Sequence, residues 1–129
     1  MSDPVVRFRI DFAEHSSLGP GKISLLEGIR DSGSLSQAAR DLGMSYRRAW
    51  LLVESLRRSF REPVTVASTG GKDGGGMRVT EFGDALIKSY RQLERDLAKL
   101  AARGFRAIMP AVIRHSTAGS RTSIRTRLE

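Results

Sequence analysis

The chain has 129 residues, no cysteine, two histidines and a formal net charge of +8. That length suits one domain with a tail and is enough to bury a core without staples. The missing cysteines exclude disulfides and thiolate metal sites, and His15 and His115 stand too far apart in sequence to suggest a zinc site.

The N-terminus has no basic segment followed by an apolar run, as a signal peptide would. No apolar stretch approaches the roughly 18 to 20 residues of a membrane span. A soluble, cytoplasmic protein with no membrane partner is expected. The charge is uneven: residues 101–129 carry +5 and the first hundred only +3. Overall basicity is therefore weak evidence for nucleic acid. The local run Arg47, Arg48, Arg57, Arg58 and Arg61 is better evidence, because phosphate contacts need clustered cations.

In chain order, Val5 to Phe12 alternates, with Val6, Phe8, Ile10 and Phe12 on one face, and predicts a half-buried strand. Glu14-His15 reads as an exposed turn. Lys22 to Asp31 predicts a helix with Ile23, Leu25, Leu26 and Ile29 inward, closed by Gly33. A second, shorter helix follows, with Ser34 and Ser36 both placed to cap it and Leu35, Ala38, Ala39 and Leu42 as its buried stripe. Ala38 and Ala39 are small, as two closely crossing helices require. Gly43 supplies a left-handed turn residue, and Ser45 caps a third helix over about 45–60. On it Ala49, Leu52, Val53, Leu56 and Phe60 face a core, while Arg47, Leu51, Glu54 and Arg58 face away. Helix, tight turn and basic helix make a helix-turn-helix whose leading end is able to meet base edges. The plainer reading is an amphipathic helical hairpin with a solvated basic face.

Glu62-Pro63 ends the third helix. Val64–Ala67 and Met77–Thr80 read as two short strands joined by a loop with five glycines between Gly70 and Gly76. The loop lacks the strand–loop–helix context and spacing of a phosphate cradle, so a wing tip is the better reading. Thr80 caps a last helix over about 81–102, whose apolar positions Phe82, Leu86, Tyr90, Leu93, Leu97 and Leu100 form a heptad-like seam. That seam suits a dimer interface or packing back on the domain. Residues 1–104 are thus read as one domain. Residues 105–129 are expected to be a basic, disordered tail. The fold class is mainly α with a small β wing: a winged helix-turn-helix plus a long C-terminal dimerisation helix.

No catalytic constellation is found, so no enzyme, cofactor or metal is expected. Tyr46, Arg47 and Arg48 are the candidates for base contacts, arginine being the usual bidentate reader of guanine. Leu51 suits a thymine methyl or a neighbouring subunit. Glu54 is expected to pair with Arg57 or Arg58. Trp50 is expected at the margin of the buried face, with its N–H on a partner. Lys72 and Arg78 in the wing are available for phosphates or a minor groove.

The strings Ser34-Leu35-Ser36-Gln37-Ala38-Ala39-Arg40 and Met44-Ser45-Tyr46-Arg47-Arg48-Ala49-Trp50, then Arg61-Glu62-Pro63 and Ser68-Thr69-Gly70-Gly71-Lys72 through Gly76, resemble the N-terminal DNA-binding domain of ModE, the molybdate-responsive regulators. The resemblance runs from about Val5 to Leu100. It implies a LysR-type winged helix that binds double-stranded DNA at a pseudo-palindromic operator, as a homodimer held by the first and last helices. On this basis Ser34, Ser36, Ser45, Tyr46, Arg47, Arg48, Leu51, Lys72 and Arg78 are expected to touch DNA, and Leu86, Tyr90, Leu93, Leu97 and Leu100 to form the dimer interface. The oxyanion-binding modules of ModE find no counterpart in residues 101–129, so sensing is not carried over. A stand-alone regulator, or one with a separate effector-binding chain, is expected. The alternatives are a molybdate-responsive repressor of molybdenum uptake genes and a protein-interaction or dimerisation module on a winged-helix fold.

Overall fold

The computed structural model describes residues 3–69 and 76–115. In chain order these form β1 (Ile10–Ala13), β2 (Ser16–Leu18), α1 (Pro20–Ser32), α2 (Leu35–Asp41), α3 (Tyr46–Ser59), β3 (Thr65–Ser68), β4 (Gly76–Val79) and α4 (Glu81–Gly104), followed by a short 3-10 helix at Met109–Ala111. The described residues are mainly helical, with two separate antiparallel strand pairs, β1–β2 and β3–β4. This layout is compatible with a winged helix.

Three helices pack through two joined sets of buried side chains. Leu25 and Ile29 of α1 meet Leu35, Ala38 and Ala39 of α2 and Ala49 of α3. Leu18, Ile23, Leu26 and Leu56 meet Val64, Ile87 and Tyr90. The small residues of α2 are needed where expected: a Cβ on Gly28 of α1 would lie 3.0 Å from the Cβ of Ala38. Gly33 closes α1 at φ 74°, and its carbonyl accepts from the Met77 N–H at 3.0 Å. The α1–α2 corner is thereby tied to β4 near the loop end of the β3–β4 pair.

Several local expectations need correction. The N-terminal strand is regular only over Ile10–Ala13, and Phe12 is exposed, its ring edge-on to Phe60 at 6.0 Å. Phe8 is the residue that anchors this segment, stacked 4.4 Å from Tyr90, whose hydroxyl donates to the Phe8 carbonyl at 2.6 Å. The partner strand β2 was not expected. Ser16-Ser17-Leu18 is short and polar, and only its last residue is buried. Lys22 holds it, donating to the Ser17 carbonyl at 2.9 Å and to the Ser55 hydroxyl of α3 at 2.8 Å. Burial, then the neighbouring Arg9, lowers the Lys22 pKa. Leu42 is 41% exposed rather than part of the α2 stripe, because α2 ends at Asp41 and the chain has already turned toward Gly43 at φ 68°. Only Ser34 caps α2, accepting from the Gln37 N–H at 3.1 Å; the Ser36 hydroxyl accepts from Arg40 instead. Residues beyond Gly104 form turns and the 3-10 helix as far as Ala111.

On α4 the expected seam divides. Tyr90 is buried and Leu86 half-buried against the chain's own core, whereas Leu93 and Leu100 are exposed. Where α4 leaves the core, Arg91 forms a two-pronged pair with Glu27 of α1 at 2.7 and 2.9 Å and also holds Glu94 at 2.9 Å. The hydrogen bond from Arg91 is the main reason that the Glu27 carboxyl lies below its ordinary value of 4.5. A carboxylate held below its unfolded value stabilises the fold fully above that value, and the contribution is lost as pH falls through the lowered one. Glu27→Gln is therefore expected to cost about 1 kcal/mol in urea unfolding at neutral pH, as a partly exposed charge-assisted pair does. The difference should shrink toward zero in strongly acid solution.

Candidate nucleic-acid interface

α2 and α3 are joined by a tight turn through Gly43, and the reading end of α3 is built by its cap. The Ser45 hydroxyl accepts from the Arg48 N–H at 3.1 Å, which fixes the first turn and presents Tyr46, Arg47 and Arg48 outward. All three side chains are exposed, as is Leu51 one turn later. At 3.6 residues per turn, Ala49 and Leu56 mark the buried line of α3, and Arg47, Leu51 and Arg58 lie opposite it. Ser45, Arg47, Arg48, Leu51 and Leu52 line a shallow open depression of about 290 Å³. Leu52 and Val53 are half-buried beside the α2 core, as their spacing predicts.

The electrostatics of this face are set by which cations remain unpaired. Glu54 takes Arg57, with contacts of 2.7 to 3.1 Å, as expected from their spacing. Arg57 holds the Glu54 carboxyl below its usual range. Arg47, Arg48, Arg58 and Arg61 form no ion pair among the described residues. Four uncompensated guanidinium groups on and just beyond one helix leave a surface that attracts a polyanion.

The remaining candidates are spread over neighbouring elements. Ser34 and Ser36 open α2, both half-buried and both already engaged in local hydrogen bonds. Arg78 is exposed on β4 opposite Val66, while its neighbours Met77 and Val79 turn toward the core. Lys72 and the glycine-rich tip lie outside the described residues. Trp50 departs from expectation: it is 47% exposed, and its N–H finds no acceptor among the described residues. No described helix is long and apolar enough to cross a membrane.

A capped basic helix set on a second helix by a glycine turn, with a hairpin tied to the α1–α2 corner, is compatible with a winged helix-turn-helix protein. Comparison with known proteins shows which one it resembles: the chain is homologous to the ModE regulators and the Mop molybdenum-binding proteins. It is 44% identical over 82 residues to the molybdenum-pterin-binding protein MopA of Rhodobacter capsulatus, covering 64% of this chain and 31% of that protein. It is 33% identical over 90 residues to the molybdenum transport protein ModE of Azotobacter vinelandii, covering 70% and 33%. With the DNA-binding transcriptional dual regulator ModE of Escherichia coli K12 it shares 42% identity over 71 residues, covering 55% and 27%. The matches span about a third of the length of these relatives. None of the three is named as an enzyme. No protein-family model matches the chain.

Proposed function

We propose that this chain is a sequence-specific DNA-binding transcriptional regulator of the ModE and LysR type, reading the major groove with α3 and acting as a homodimer through α4. The observation that carries the reading is the leading end of α3: Tyr46, Arg47, Arg48 and Leu51 stand exposed together, and neither arginine is neutralised by a described acid. The names of the relatives support it, since the Escherichia coli protein is named as a DNA-binding regulator. Ser34, Ser36 and Ser45, with Arg78 and Lys72 from the hairpin, would supply positioning contacts to phosphates. Residues 1–104 act in this reading as the DNA-binding domain with its dimerisation helix.

The same names favour a narrower reading, that the regulator answers to molybdenum. The experiment for both is selection from a randomised duplex pool, followed by titration of the selected duplex and a scrambled one at several salt concentrations, with and without molybdate. An inverted repeat with half-sites about one helical turn apart is expected, bound well above scrambled DNA. Weak binding that is indifferent to sequence and vanishes as salt rises would overturn the regulator reading. A selected repeat whose affinity ignores molybdate would overturn only the narrower one.

A further inference from the structure

The flank of α3 that carries Tyr46 and Trp50 also carries Arg57, paired with Glu54, but Trp50 itself has no role in the contacts described so far. Tyr46 and Trp50 lie one turn apart, on a stripe between the buried line of Ala49 and Leu56 and the outward line of Arg47, Leu51 and Arg58. The opposite flank is covered: Ser55 receives Lys22, and the Ser59 hydroxyl reaches the His15 carbonyl of the β1–β2 turn. Tyr46 is 57% and Trp50 47% exposed. The side-chain hydrogen bonds around α3 among the described residues use Ser45, Glu54, Ser55, Arg57 and Ser59, leaving the indole N–H without an acceptor.

An exposed indole with an idle donor suits a surface that is apolar over one area and rich in acceptors beside it. A deoxyribose with its phosphate is such a surface. Arg47, one turn before Trp50 and unpaired among the described residues, supplies complementary charge. We infer that Trp50, with Tyr46, grips the sugar–phosphate backbone of one DNA strand at the edge of the groove that α3 enters, the indole N–H donating to a phosphate oxygen. The inference rests on the DNA-binding reading above and adds a positioning residue that the sequence pattern had put in the core margin.

Trp50 is the single tryptophan of the chain, so intrinsic emission reports on this flank alone. The test uses the full chain with the duplex obtained by selection and a scrambled duplex. Saturation with either duplex should shift the emission and shield the indole from iodide. Trp50→Phe, which keeps a ring and removes the donor, should weaken binding to both duplexes by about ten- to a hundredfold, the range of one hydrogen bond to a charged acceptor. Its salt dependence should match that of the wild type, because a neutral donor displaces no counterion. Its melting temperature should be unchanged, since a half-exposed ring is replaced by another.

Wild-type emission and shielding that stay unchanged on saturation, with Trp50→Phe binding as tightly as the wild type, would overturn the inference while leaving DNA binding standing. A loss confined to the selected sequence would make Trp50 a base reader instead. Emission that moves with protein concentration in the absence of DNA would assign the flank to a protein contact. A wild-type chain that binds neither duplex would overturn both readings.

Discussion

Arg47→Ala is expected to abolish the preference for one base pair of the half-site, lowering affinity for the selected operator by about 5- to 150-fold while affecting scrambled DNA much less. That range corresponds to the roughly 1–3 kcal/mol by which a bidentate arginine–guanine contact discriminates. Geometry separates Arg47 from its neighbour. On α3 it lies opposite the buried line, with Leu51 and Arg58, whereas Arg48 lies to the side, on the face that Ser55 and Ser59 occupy further along the helix. Arg48→Ala should therefore weaken binding to all duplexes about equally and reduce the salt slope by about one, the signature of a phosphate contact. Competition titrations against every single-base variant of the operator, at two salt concentrations, measure both effects. If neither substitution changes base preference, the leading end of α3 does not read sequence.

Leu93→Glu combined with Leu97→Glu is expected to convert a dimer into a monomer in light scattering and to reduce affinity for the inverted repeat by more than about a hundredfold. Burying a leucine contributes about 1.5–3 kcal/mol, and the double substitution removes that from both copies while setting carboxylates against each other. The chain should still fold, because the buried residues of α4 are Gly83, Ile87 and Tyr90, all nearer its start. Circular dichroism of the variant should retain the helical signal. A monomeric wild type would remove the basis of the expectation.

Helices and turns were legible in the sequence because single residues govern them. Gly33 and Gly43 adopt the left-handed conformations that end α1 and turn the chain toward α3. Ser34, Ser45 and Thr80 each accept a backbone N–H at the start of a helix, as their side chains predict. β3 and β4 sit one residue from their expected positions, because Val64 is buried and its carbonyl receives Thr80. What the sequence could not display depends on distant partners. β2 exists because Lys22 and β1 hold it, and neither its length nor its composition signals a strand. The seam of α4 has one period from Leu86 to Leu100, yet Phe8, 82 residues before Tyr90, takes half of it into the core. Periodicity reports that a face is apolar; it does not report what covers it. The same limit applied to Trp50, which the apolar face of α3 placed at the margin of burial but which is 47% exposed.

The division of α4 also has a mechanical meaning. Its early turns are clamped by Ile87, by the Tyr90–Phe8 bond and by the Arg91–Glu27 pair, and beyond these it contributes no buried residue. A rod fixed at one end and free at the other is a lever, with its fulcrum near Tyr90. A displacement applied around Leu100 would not bend the reading helix within its packed core. It would turn the whole head together, because α3 shares the buried core with α1 and α2 and the Gly33–Met77 bond ties β4 to the α1–α2 corner. In a symmetric pair, opposite turns of two such heads change the distance between them, so half-site spacing is the quantity through which a remote stimulus would be felt.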